Sequence, residues 1–211
     1  MDNVIKIDDE IVGWRVLKDD DERSYVVSDS HAPKRPLDLS CEIHKASIKG
    51  ELWTILVGIL NGRPYEVIGG LSVYIDIPGK YTDGILIKRP RKTVNARYDL
   101  KFGENGDEVM LKDVVAIFDN PTYGSLTRMI SMSLRHGVPV QYIVEQLQKD
   151  KHSDMFSFSR VISRVLKKYI EDGTRASNGV IRCNCESQDS CSFVYQSGCV
   201  MCTSCGYSAC G

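Results

Sequence analysis

Residues 42–68 read EIHKASIKGELWTILVGILNGRPYEVI, and the pairs Lys49-Gly50 and Asn61-Gly62 divide them into three apolar, β-rich segments. Both central positions of a type I′ turn need φ > 0, and Asn-Gly supplies this at little steric cost. The segments 42–48, 51–60 and 65–68 are therefore expected as an antiparallel meander. Downstream, 71–77, 85–87 and 98–102 add strand candidates, and Asn105-Gly106 closes a further hairpin onto 108–111.

Beyond residue 120 the apolar period changes from 2 to 3.6. Leu126, Met129, Ile130 and Leu134 share a face that ends at Gly137. Val140, Ile143, Val144 and Leu147 share the next, with Pro139 in its first turn. Phe158, Val161, Ile162, Val165, Leu166 and Tyr169 make a third, with Ser157 as N-cap and Asp172-Gly173 as the stop. Strands first and helices after predict an α+β fold, an antiparallel sheet covered on one face by about three helices.

The carboxy-terminal residues 183–211, CNCESQDSCSFVYQSGCVMCTSCGYSACG, hold seven of the eight cysteines. Cys202 and Cys205 form a C-x2-C-G turn, which lets two thiolates face one ion while the glycine tolerates the bend. Upstream stand Cys183, Cys185 and Cys191, and 192–198 alternates like one arm of a hairpin. Two cysteine pairs joined by a hairpin predict a zinc ribbon, with Cys183, Cys185, Cys202 and Cys205 as ligands and Cys191 as a candidate in place of either upstream cysteine. Four ligands leave three thiols over.

With 42% hydrophobic residues and a formal net charge of -1 over 211 residues, the chain can bury one sizeable core and carry one small module. No apolar run approaches the roughly 18 to 20 residues that cross a bilayer. Met1-Asp2-Asn3-Val4 leads into acidic residues rather than a signal peptide, which predicts a reducing, cytoplasmic setting and thiols rather than a disulfide framework. Lys88, Arg89, Arg91, Lys92 and Arg97 make a local basic stretch, read first as a solvated strand edge and second as a phosphate-binding patch. His136 beside Gly137 reads as a helix-end partner, and His44 and Cys41 as structural. No Ser-His-Asp set or nucleotide-binding loop is present, and Gly69-Gly70 is too short to cradle a phosphate alone. The organisation expected is a lead-in over 1–40 that includes the acidic run 19–22, an α+β domain over 41–171, a polar linker over 172–180 that lets the next module move, and the ribbon over 181–211.

Several stretches together resemble the carboxy-terminal region of adenosylcobalamin-dependent (class II) ribonucleotide reductases. They are Lys34-Arg35-Pro36-Leu37 through Gly50-Glu51-Leu52-Trp53-Thr54, then Gly62-Arg63-Pro64-Tyr65-Glu66-Val67 and Gly69-Gly70, then Leu126-Thr127-Arg128-Met129-Ile130-Ser131 and Leu134-Arg135-His136-Gly137-Val138. The end, Gly198-Cys199-x2-Cys202-x2-Cys205-Gly206-Tyr207-Ser208-x-Cys210, looks like the cysteine-rich tail of the same enzymes. The large barrel with its radical and cobalamin sites is missing, so the resemblance implies a short accessory chain that is inactive alone. It further implies a partner, the separate catalytic barrel chain, which would hold the adenosylcobalamin.

In such enzymes a mobile carboxy-terminal dithiol reduces the barrel disulfide after each turnover and is itself reduced by thioredoxin or glutaredoxin. Cys199 and Cys210 are the first candidates for that redox pair. A rival partition gives Cys199 and Cys202 to zinc and leaves Cys205 with Cys210. Two other readings remain, a zinc ribbon that binds nucleic acid or protein and a scaffold without redox chemistry. A ribbon that grips phosphate needs basic residues, and 183–211 contains none.

Overall fold

Lys49 and Gly50 have φ of 51° and 81°, and Asn61 and Gly62 have 52° and 75°. These left-handed pairs join β1 (Asp38–Ile48), β2 (Glu51–Leu60) and β3 (Arg63–Leu71) as two-residue hairpins, with Ile48 opposite Glu51 and Leu60 opposite Arg63. The structure, a computed structural model, describes residues 32–90, 97–104, 106–118, 120–149, 156–177, 183–185 and 191–209. Of the lead-in expected over 1–40, residues 1–31 with the acidic run lie outside these residues, as do Arg91, Lys92, Asn105 and Cys210.

The sheet continues through β4 (Asp83–Arg89), β5 (Arg97–Phe102) and β6 (Val109–Leu111) in the order β3-β2-β1-β4-β5-β6, antiparallel throughout. β4 pairs with the first half of β1, which is why β1 begins at Asp38, earlier than the meander alone predicts. The chain must therefore cross from β3 at one edge to the far side of β1. Residues 71–77, expected as a strand, serve this crossing as a 3-10 turn at Ser72–Tyr74 followed by Ile75 and Ile77, both buried. The basic stretch also differs from expectation: β4 and β5 are interior strands, and Arg89 and Arg97 pair with Asp99.

Both faces of the sheet are covered. On one, Trp53, Ile55, Val57 and Val67 pack under α2 (Pro121–Arg135), α3 (Val140–Gln148) and α4 (Phe156–Leu166). On the other, Cys41, Ile43, Leu56, Leu86, Leu100 and Phe102 are closed over by Ile75, Ile77 and the short α1 (Val114–Phe118). At Gly70 a Cβ would meet Phe118 Cδ1 at 2.6 Å, so the bare backbone there is what lets α1 seat.

α2 starts at Asn120, whose side chain accepts from the Thr122 and Tyr123 amides, and ends at His136 with Gly137 at φ 76°. Ser131 Oγ accepts the Val67 amide at 2.9 Å, which satisfies the outer edge of β3. α4 begins at Phe156, so Ser157 lies in its first turn rather than ahead of it. Just beyond α4, Tyr169 Oη donates to Glu42 at 2.7 Å and stands 2.6 Å from His44 Nε2, tying the helix end to β1. No helix among the described residues is long and apolar enough to cross a membrane.

Candidate metal centre

β7 (Phe193–Gln196) and β8 (Cys199–Cys202) form the expected hairpin through Ser197 and Gly198, with Phe193 opposite Cys202 and Gln196 opposite Cys199. Side chains alternate between the two faces of a strand. Phe193, Tyr195, Val200 and Cys202 are buried, whereas Cys199 is half-buried and leaves the other face. A third short strand, β9 (Ser208–Ala209), pairs with β8.

The turn after β8 is built around Cys202. Gly206, at φ 72°, donates its amide to the Cys202 carbonyl at 2.9 Å, and the Cys202 amide donates to the Tyr207 carbonyl at 2.8 Å. Amide donors from Cys205 and Ser204 reach the Cys202 sulfur and, with the Cys205 amide dominant, pull its pKa down to about 6. The Cys185 amide lowers Cys183 in the same way. Cys185 is raised, chiefly by its hydrogen bond with Cys191, and Cys191 is pushed up to about 11, chiefly by its bond with Cys183. Two sulfurs favour the thiolate and two hold protons, an arrangement that a cation would replace.

The sulfurs of Cys183, Cys185, Cys191 and Cys202 all lie within 4.8 Å of one another. Cys183 and Cys191 are 3.3 Å apart, and Cys185 and Cys202 are 3.9 Å apart. A tetrahedral zinc with Zn–S bonds of about 2.3 Å holds its sulfurs about 3.8 Å apart. The four residues thus fit a metal such as zinc. Three of the four expected ligands come together here, and Cys191 completes the set. Cys205 is exposed and stands outside it, its thiol in hydrogen-bond contact with Cys185 and Cys202.

Cys199 is disulfide-bonded. Of the expected redox pair, Cys210 lies outside the described residues.

The hairpin is not isolated from the sheet and helices. Gly173 and Ala176 donate amides to the Tyr195 and Phe193 carbonyls, so part of the stretch read as a linker runs along β7 as an added strand edge. Asp172 accepts the Ser197 amide at 2.6 Å, and Glu145 on α3 accepts from the Ser177 amide and hydroxyl at 3.0 and 2.5 Å. Ala176, Phe193, Tyr195, Val200, Cys183, Cys191 and Cys202 share one apolar cluster with Val144, Leu147, Phe158 and Val165. Residues 178–180 lie outside the described stretch. Glu145 thus joins these two parts of the chain, a role with no local signal in the sequence.

A second constellation escaped the sequence reading. Glu66, only 2% exposed, takes Arg35 through both carboxylate oxygens and Arg135 at 3.0 Å. The partners are 31 and 69 residues away, beyond any motif spacing.

Comparison with known proteins gives one family. The family described as NrdJ homologue C-terminal domain matches residues 39–171, the sheet and its helices up to the start of the cysteine module. No curated protein and no solved structure matches the chain.

Proposed function

The chain belongs to the NrdJ homologue C-terminal domain family, and from that premise we propose that it is an accessory chain of an adenosylcobalamin-dependent (class II) ribonucleotide reductase. In this reading the α+β domain docks on the catalytic chain, which holds the adenosylcobalamin, and the cysteine module returns reducing equivalents to it. The pair Cys199 and Cys210 gives two electrons and two protons to the disulfide formed on the catalytic chain and becomes a disulfide itself. The dithiol of thioredoxin or glutaredoxin then restores the pair by exchange through a mixed disulfide.

The observation that carries this reading is the separation of two kinds of sulfur on one strand. Cys202 points into the four-sulfur cluster, and the disulfide-bonded Cys199 leaves the opposite face. Cys210 is proposed as the second thiol of the pair from its place in the carboxy-terminal cysteine run of the sequence. Zinc on Cys183, Cys185, Cys191 and Cys202 would hold the hairpin in shape without taking part in electron transfer. The same alternation weighs against the rival partition, since Cys199 and Cys202 cannot both face one ion from a single strand.

The test is reconstitution. A class II catalytic chain that ends before its own cysteine tail, supplied with thioredoxin, thioredoxin reductase and NADPH, should form little product beyond its first turnover. Adding this chain should restore continuous turnover, and a failure to do so at saturating concentration would overturn the proposal.

A further inference from the structure

At the outer edge of β3, between α2, α1 and the sheet face that carries Leu56 and Leu86, lies a cavity of about 500 Å³. Its walls carry Lys88 from β4, Tyr98 from β5, Glu66 from β3, and Arg128 and Arg135 from α2. Lys88 and Tyr98 are cross-strand partners and so stand side by side on one face. The carboxylate of Glu66 is fully engaged by Arg35 and Arg135, and Arg135 also bonds the Tyr98 hydroxyl. Two guanidinium groups against one carboxylate leave one positive charge there. Lys88 and Arg128 add two more, and neither has a carboxylate partner among the described residues. Arg128 is steadied by the Ser125 hydroxyl at 3.0 Å, with its guanidinium over the bare Gly124.

A chain of net charge -1 thus concentrates about three positive charges around one cavity. Cations in a concave, partly desolvated site attract an anion more strongly than the same cations spread over an open surface. Lysine and paired guanidinium groups are the donors that phosphate oxygens take. The volume exceeds what a bare phosphate fills and falls in the range of small-molecule sites, roughly 300 to 1,000 Å³. Val115, Phe118 and Met132 supply an apolar side next to Tyr98, suited to the carbon body of a ligand rather than to its charge.

We propose that this cavity binds a phosphorylated small molecule with a ring-bearing body, its phosphate held by Lys88 and Arg128 and its ring lying among Tyr98, Val115 and Phe118. The site is separate from the four-sulfur cluster, and nothing in it depends on the redox reading. Arg135 and Arg35 act as positioning residues, since they neutralise Glu66 and fix Tyr98.

Isothermal titration calorimetry of the full chain with four probes tests this: adenosine 5′-diphosphate, ribose 5-phosphate, inorganic pyrophosphate and adenosine. The two organic phosphates should bind with one site per chain, more tightly than pyrophosphate, and adenosine should not bind. Comparing the first two identifies which ring the body prefers. Lys88→Ala and Arg128→Ala should each weaken binding about tenfold or more, while Lys149→Ala on the far end of α3 should not. Both altered residues are at least partly exposed, so unchanged thermal unfolding of the variants separates lost binding from lost fold. Absence of phosphate binding at roughly millimolar concentration, equal binding of adenosine and the diphosphate, or binding indifferent to both variants would each overturn the proposal.

Discussion

Cys199 and Cys202 occupy the two ends of β8, three residues apart, and leave it on opposite faces, Cys202 fully buried against Cys185 and Cys199 half-buried in a disulfide. Replacing the first should therefore leave the metal alone, and replacing the second should not. Cys199→Ser is expected to retain about one zinc per chain, whereas Cys202→Ser should lose it. Elemental analysis of protein purified without added metal reads the difference directly. Loss of zinc from both would place Cys199 among the ligands.

The fourth ligand gives a sharper contrast. With Cys191 inside the sulfur cluster and Cys205 outside it, Cys191→Ser should lose zinc and destabilise the buried cluster around Phe193 and Tyr195. Cys205→Ser should keep zinc, and in the unaltered protein Cys205 should be alkylated by iodoacetamide long before the buried Cys41. Protection of Cys205 together with zinc loss from Cys205→Ser would restore the pair that the C-x2-C-G spacing suggests.

Glu66 should matter out of proportion to its size. Among the described residues Glu66 is the one carboxylate paired with Arg35 and Arg135, so Glu66→Gln leaves a guanidinium whose side chain is only 5% exposed without that charge. Breaking a buried ion pair in this way typically costs about 3 to 5 kcal/mol. Urea unfolding should show the loss in midpoint, with the slope little changed. A change below about 1 kcal/mol would mean that water reaches the pair.

His44 supplies a pH dependence. Burial, followed by the positive charge of Lys168, holds its pKa below the ordinary histidine value of 6.5, outweighing the opposing pull of Glu42 and Asp83. The folded state thus prefers the neutral ring, whose Nε2 lies against the Tyr169 phenol. As pH falls through 6.5 the unfolded chain takes up a proton that the folded chain refuses, so stability should decline until the lowered folded value is reached. Melting temperatures of the unaltered protein and His44→Gln between about pH 7.5 and 5.5 check this, since the variant should lose part of that slope. Parallel slopes would remove His44 from the account.

Local rules carried much of this fold. The left-handed pairs at Lys49-Gly50 and Asn61-Gly62, and the helix faces around Ile130, Val144 and Val161, are written within a few residues of where they act. The pairing of β1 with β4 is not, because Asp38 and Ile87 meet only after the chain crosses the sheet. That crossing also explains why 71–77, apolar enough for a strand, became a turn and a lid over the second core. Glu66 alternates like a surface residue and is buried because two distant arginines neutralise it. At the cysteine cluster, sequence spacing favoured Cys205 because C-x2-C-G is a local turn. The participation of Cys191 depends on how the hairpin folds against residues 183–185, which spacing does not encode. The burial of the hairpin against α3 and α4, and its ties through Asp172 and Glu145, were equally invisible.

The relay itself is tested most directly by thioredoxin-driven turnover of the reconstituted catalytic chain with Cys199→Ser and Cys210→Ser. Each variant should keep its zinc and should support a single turnover, and turnover driven by a small dithiol that reaches the catalytic disulfide unaided. Each should abolish continuous product formation with thioredoxin. Normal thioredoxin-driven turnover by either variant, with zinc retained, would contradict the account and leave the cysteine module a structural element.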